Sequence, residues 1–250
     1  LTDVTGVQTC ALPIFSDTIQ LQYNDGAASQ TETHNIQGNG ENPANLAITA
    51  DTSTDFGSVV HGTTKDLLFT ITNSGGLQAT AMAEVALTPP FSLAGGVWPG
   101  NNGTCNVGGT LNAGGSCKIE IRFAPAGAGT VTYPNSIDVS YHNGSALTNS
   151  TLAITGDGIN PASLDITTVP HNFNTKAIGS TNSQLFTLTN NGSYTATNIT
   201  GAAFGLADYT FSGGVFGGVG TCTSGGSLAP AGSCTFQVSF VPAGAPGARN

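Results

Sequence analysis

Cysteine offers the most chemistry in this chain, with five residues of that type. Four of them form two pairs of identical spacing, Cys105 with Cys117 and Cys222 with Cys234, each twelve residues apart. Four thiols permit three pairings. Because both members of a pair recur together, bonding within each pair requires no contact between copies, and Cys105 to Cys117 with Cys222 to Cys234 is the economical set. A disulfide closing a loop of about this length stabilises by about 3 kcal/mol in the chain-entropy model. Zinc ligation would call for shorter Cys spacings or an accompanying His pair, so no metal is expected. Structural disulfides persist in oxidising compartments, which places the chain at the cell surface or outside the cell.

Other reactive side chains do not assemble into a motif. The four histidines, His34, His61, His142 and His171, are dispersed among turn-like residues and do not recur as the cysteines do. They are expected as solvent-facing loop residues, not as bases or ligands. No Gly-x-Ser-x-Gly elbow and no phosphate-loop lysine appears. No catalytic residue and no cofactor is expected, and the chain reads as a non-enzyme. Trp98, the single Trp, lies in Gly95-Gly96-Val97-Trp98, which is matched by Gly213-Gly214-Val215-Phe216. These two rings are the candidates for ligand contact; the competing expectation is a plug over the disulfide and the end of a sandwich. Asp157 and Asp165 flank the junction Gly156 to Pro161, too few carboxylates for a calcium site. The short Pro-containing junction leads us to expect a semi-rigid rod.

What must position these residues is a repeat. Gly103 to Gly127 reads GTCNVGGTLNAGGSCKIEIRFAPAG, and Gly220 to Gly244 reads GTCTSGGSLAPAGSCTFQVSFVPAG, identical at more than half of the positions. Upstream, Pro43 to Ile48 matches Pro161 to Ile166, and Phe69 to Asn73 matches Phe186 to Asn190. A partial third copy precedes them: Ile19 to Tyr23 followed by Gly38-Asn39-Gly40 resembles Ile137 to Tyr141 followed by Gly156-Asp157-Gly158. Within a copy the period is two. Ile119, Ile121 and Phe123 alternate with Lys118, Glu120 and Arg122, and Phe236, Val238 and Phe240 with Thr235, Gln237 and Ser239. This is the pattern of strands with one face in a core and the other in water.

Composition agrees. Only 8% of residues are charged, against 38% hydrophobic and 35 Gly, so Thr, Ser and Asn must wet the surface of a sheet-and-turn protein. A net charge of −9 with five Lys and Arg leaves no basic stripe for a phosphate backbone. Nucleic acid is therefore excluded as a partner. No apolar run is long enough to span a bilayer, so no direct membrane insertion is expected. The fold class is all-β, as tandem immunoglobulin-like β-sandwiches.

With these motifs in hand, the unit resembles the ASH and Hydin-like immunoglobulin repeats, in particular the bacterial form of choice-of-anchor D proteins. The carriers are Phe56-Gly57, Phe69 to Gly75, Cys105, Gly115-Ser116-Cys117 and Phe123-Ala124-Pro125 with Gly129. The second copy keeps Phe186 to Asn190, Gly232-Ser233-Cys234 and Phe240-Val241-Pro242, but carries Asn172-Phe173-Asn174 where Phe-Gly is expected. The resemblance implies a β-sandwich in long arrays on secreted or anchored bacterial proteins, with no catalytic residues to transfer. Val4 to Ile14 instead resembles the in-frame translation of a common sequencing adapter, with Cys10 inside it.

The expected organisation is therefore a non-native leader over 1–15 and the last strands of a preceding repeat over 16–42. A complete repeat over 43–158 follows, then a second over 159–250 that stops before its last strands. Such a second copy should expose a sheet edge and part of its core. The expected function is a spacer or protein-interaction array; the alternative is an accessory carbohydrate- or protein-binding module of a secreted enzyme. A protein or glycan partner fits both. Exposed aromatics in a row would favour the module, and the aromatic content of 7% leans toward the array.

Overall fold

A computed structural model describes residues 14–85, 87–106, 108–167 and 171–244. The expectation of a non-native leader falls largely on residues 1–13, Cys10 among them, which lie outside the described residues. The described residues contain sixteen strands and no helix, as an all-β sandwich requires.

The chain opens with an antiparallel hairpin, β1 (Ile14–Asn24) and β2 (Ser29–Asn39). The ladder starts with Ile14 opposite Asn39 and Phe15 opposite Gly38, so the strand reaches beyond the Ser16 at which the likeness to the later copies fades. Next come β3 (Leu46–Ala50), β4 (Asp55–Val60), β5 (Lys65–Asn73) and β6 (Thr80–Val85). They are followed by β7 (Phe91–Leu93), β8 (Ser116–Phe123), β9 (Val131–His142) and β10 (Leu147–Ile159). These eight strands make two four-stranded sheets, in the orders β3-β5-β8-β7 and β4-β10-β9-β6. All neighbours are antiparallel except β4, which runs parallel to β10.

One core joins the two sheets. Phe69 and Ile71 from β5, Ile119, Ile121 and Phe123 from β8, and Ile137 and Val139 from β9 are fully buried within a single cluster. Four rings fill its centre: Phe91 stacks on Phe123 with centroids 4.7 Å apart, Phe56 meets them at 5.4 and 5.8 Å, and Phe69 lies 6.4 Å from Phe56. Offset or edge-on ring pairs add about 0.5–1.5 kcal/mol each beyond area burial.

The remaining strands are β11 (Leu164–Ile166), β12 (Asn182–Asn190), β13 (Ala196–Ile199), β14 (Tyr209–Phe211), β15 (Gly226–Leu228) and β16 (Ser233–Phe240). A four-stranded sheet β11-β12-β16-β14 repeats the order β3-β5-β8-β7, and beside it stands a two-stranded sheet, β13-β15. Tyr209 stacks on Phe240 at 4.9 Å, where Phe91 stacks on Phe123 in the first copy.

Asn172-Phe173-Asn174, the departure from the expected Phe-Gly, keeps the geometry by another route. Gly57 has φ +63° and Asn174 φ +57°, and Asn is among the few residues that tolerate the left-handed region. In both copies the amide of that residue donates to an acidic or amide oxygen two positions earlier, Asp55 Oδ1 or Asn172 Oδ1, at 2.8 Å.

Candidate functional site

The disulfide-bearing end of each copy collects the residues singled out in the sequence. The structure joins Cys105 to Cys117 and Cys222 to Cys234, with Cα separations of 4.9 and 5.0 Å. Each bridge ties a loop to the first residues of a core strand, β8 or β16. Thr104 N donates to Lys118 O, and Cys222 N to Thr235 O, both at 2.8 Å, so the loops run as short extensions of the sheets.

Trp98 and Phe216 sit on equivalent loops whose two glycines are left-handed in both copies: Gly95 and Gly96, then Gly213 and Gly214. Each loop closes with the same turn bond, Gly100 N to Val97 O and Gly218 N to Val215 O. Their contacts differ. Trp98 is half-buried against the first core and its indole N–H donates to Asn106 O at 3.1 Å across the disulfide loop. Phe216 turns inward onto Phe211 and Phe236, with centroids 5.4 and 5.7 Å away. Both rings therefore cover the bridged end of their own copy.

A hollow of about 210 Å³ opens beside the second bridge, lined by Ile199, Leu228, Cys222, Cys234 and neighbouring Thr and Ser residues. Small-molecule sites usually enclose about 300–1,000 Å³. This one is smaller and presents only hydroxyls and backbone as polar groups.

The histidines do not converge, and two expectations about them need correction. His34 and His142 lie on β2 and β9, not in turns. His61 is half-buried: its Nε2 lies 2.8 Å from Gly129 O, and a Cβ on Gly158 would meet its ring at 2.6 Å. It braces the loop after β8 against β10. His171 packs edge-on against Phe173 and Phe186. Among the described residues no three His, Cys, Asp or Glu gather in a metal-like cluster. Asp157 accepts from Thr132 Oγ1 at 2.5 Å, while Asp165 stands exposed on β11.

The outer face of the period-two pattern is less wet than expected. Lys118 pairs with Asp51 at 2.5 Å and Arg122 holds Asp66 through two bonds of 2.8 and 2.7 Å. The Lys118 ammonium and the Thr70 hydroxyl hold the Asp51 carboxyl below its ordinary pKa, and Asp66 raises that of Arg122. Glu120, however, is buried, because the loop after β7 folds across it: its carboxylate accepts from Asn102 N and Nδ2 at 3.0 and 2.8 Å. On β16 the exception falls two residues further on, at the position of Arg122: Ser239 is buried between the Ser212 and Ser183 hydroxyls, at 2.6 and 2.9 Å.

Asn73 and Asn190 were legible only as motif letters, and the structure gives them a role. Both are fully buried. Asn73 Nδ2 donates to Leu77 O and Leu111 O, while its Oδ1 accepts from Asn45 N and Gly75 N, at 2.8–3.1 Å. Asn190 makes the same four bonds to Tyr194 O, Leu228 O, Ser163 N and Gly192 N. One side chain thus fastens three segments, with donors and acceptors fully used. Their invariance between copies was the available signal.

No family model matches the chain, and neither does any curated protein. Solved structures similar to it include the ASH/PapD-like domain of human CEP192, at 20% identity over 48% of this chain and 87% of that one, TM-score 0.30. Another is the Escherichia coli chaperone DraB, at 12% identity over 80% and 86%, TM-score 0.29. A third is the Vibrio cholerae VesB protease, at 21% identity over 44% of this chain, TM-score 0.33; the matched part spans 31% of the protease. At this level of similarity they carry no conclusion about activity. Among the described residues no helix is long and apolar enough to cross a membrane, and the two disulfides fit an oxidising environment.

Proposed function

We propose that this chain is a non-catalytic segment of immunoglobulin-like repeats, of the choice-of-anchor D kind, in a secreted or cell-surface bacterial protein, and that it serves as a spacer or protein-interaction array. Residues 43–158 would be one full unit, 16–42 the end of another and 159–250 part of a third. The observation that carries this reading is what recurs between copies. The disulfide, the buried Asn, the left-handed loop over the bridge and the ring stack appear twice. The histidines and the surface ion pairs do not. Duplication has kept the parts that hold a sandwich together and let the chemistry-bearing surface drift.

Small-angle scattering from the chain in its monomeric state tests the spacer role. An extended particle is expected, and a compact globule would overturn it. A glycan array distinguishes the accessory-module reading: glycan binding that is lost in Trp98→Ala at unchanged Tm would replace the spacer with a binding module.

A further inference from the structure

The turn between β9 and β10 brings together a base, an amide nucleophile and a polarised amide carbon. We propose that Asn143 is a self-modifying residue, which closes a cyclic imide with Gly144 and opens to an aspartyl or isoaspartyl residue. The inference goes beyond the spacer reading and does not depend on it.

Asn-Gly pairs are open to this reaction because no Cβ on the second residue hinders the approach of its nitrogen. The chain has four: Asn39-Gly40, Asn102-Gly103, Asn143-Gly144 and Asn191-Gly192. At the third, Gly144 N donates to His142 Nδ1 at 3.2 Å, so an imidazole lone pair faces the proton that must leave. Gly103 N donates to Gly100 O at 3.3 Å and Gly192 N to Asn190 Oδ1 at 3.0 Å, and neither acceptor is a base. The electrophile is prepared as well. Asn143 Oδ1 accepts from the amides of Ser145 and Ala146 at 2.9 and 2.8 Å, the distances at which paired amides stabilise a developing oxyanion. Asn102, by contrast, commits its Nδ2 to Glu120 Oε1 at 2.8 Å, which holds back the leaving nitrogen. A larger residue cannot guard the site, since Gly144 has φ +97° and a Cβ there would meet Leu77 Cδ1 at 2.6 Å. Gly144 and Ser145 are exposed, so water reaches the turn.

The steps balance with water as the only co-reactant. His142 Nδ1 takes the proton of Gly144 N, the nitrogen bonds to Asn143 Cγ, and the two amides hold the charge that collects on Oδ1. The bond from Cγ to Nδ2 then breaks, and Nδ2 recovers the proton from His142 and leaves as ammonia. Water opens the imide at Cγ to give aspartate, or at the main-chain carbon to give isoaspartate. The aspartate state has a counterpart in the same chain. In the β1-β2 turn Asp25 stands where the β9-β10 turn has Asn143, and its Oδ1 accepts from the amides of Ala27 and Ala28 at 2.8 and 2.7 Å. Gly26 there has φ +93°. The amides of Ala28 and Ala27 hold the Asp25 carboxyl below its ordinary pKa. This turn thus accepts a carboxylate with the same bonds, and conversion of Asn143 adds a negative charge without dismantling it.

The test follows the full chain in neutral buffer by peptide mapping, with isoaspartyl methyltransferase labelling to separate the two products. Deamidation at Asn143 should outrun that at Asn39, Asn102 and Asn191, and in urea the four rates should converge. His142→Asn removes the base but keeps the turn, because at the equivalent place Asn24 Oδ1 accepts from Gly26 N at 2.8 Å. It should slow the reaction at Asn143 about a hundredfold, the low end of what a positioned base contributes, with the Trp98 fluorescence unchanged. A rate at Asn143 no faster than at the other three pairs, a lead that persists in urea, or a His142→Asn chain that deamidates as fast as the parent would overturn the proposal.

Discussion

Leu46 and Leu164 open equivalent strands in equivalent sequences, yet Leu46 is 5% exposed and Leu164 42%; for Ile48 and Ile166 the figures are 7% and 51%. Nothing local separates them, since β3 pairs with β5 as β11 pairs with β12. The difference lies in the facing layer. Over the first copy stand β9 and β10, whose Ile137, Val139, Tyr141 and Ile154 complete the core. Among the described residues of 161–244 no such pair stands over β11 and β12, and the core cluster there is accordingly smaller. Burial of a residue is therefore decided by its partner layer as much as by its own strand.

That contrast can be broken or sharpened by mutation, with Trp98, the only Trp, as a reporter confined to the first copy. Phe123→Ala should have the largest effect, about 3–5 kcal/mol in urea unfolding followed at Trp98, because it empties the centre of the ring cluster. Phe240→Ala should cost the second copy visibly less, and equal losses, read by hydrogen exchange in β8 and β16, would dissolve the distinction. Replacing Cys105 and Cys117 together by Ala should cost about 3 kcal/mol by the chain-entropy argument. Asn73→Ala should cost about 2–3 kcal/mol, since it removes four hydrogen bonds at once and leaves the amides of Asn45 and Gly75 and the carbonyl of Leu77 without their side-chain partner; a neutral result by the same assay would refute its fastening role.

The smallest effect belongs to Asp51. Its folded pKa lies below the unfolded one, so its contribution is present above the unfolded pKa and is lost as pH falls through the folded value. Asp51→Asn should remove under about 1 kcal/mol at pH 7, as befits an exposed pair, and nothing in strong acid. A variant equally destabilised at both pH values would show that the ion pair is not the cause.

The sequence disclosed the strand period, the repeat and the cysteine spacing, because each depends on residues near in sequence or on direct comparison of copies. It misjudged Glu120 and Ser239, since alternation marks two faces of a strand but cannot say that a loop arriving from residues 94–104 or 212–221 will cover the outer one. His61 was misread for the same reason: its neighbour Gly129 is distant along the chain. Asn174 was read as a departure from the motif because letters were compared, whereas the backbone asked only for a residue tolerant of positive φ. At the candidate site the bridges followed from spacing. The inward turn of Phe216, against the indole N–H bond of Trp98, depends on packing that spacing does not encode.

The parallel pairing of β4 with β10 has a mechanical meaning. Asp55 lies beside Thr155 and Val60 beside Ile159, so tension entering before Asp55 and leaving after Ile159 pulls the two strands past each other along their length. Their hydrogen bonds then bear the load together instead of opening one after another like a zipper. Residues 55–159 are thus bound by a pair of strands that a pull on those two ends would load in shear rather than peel.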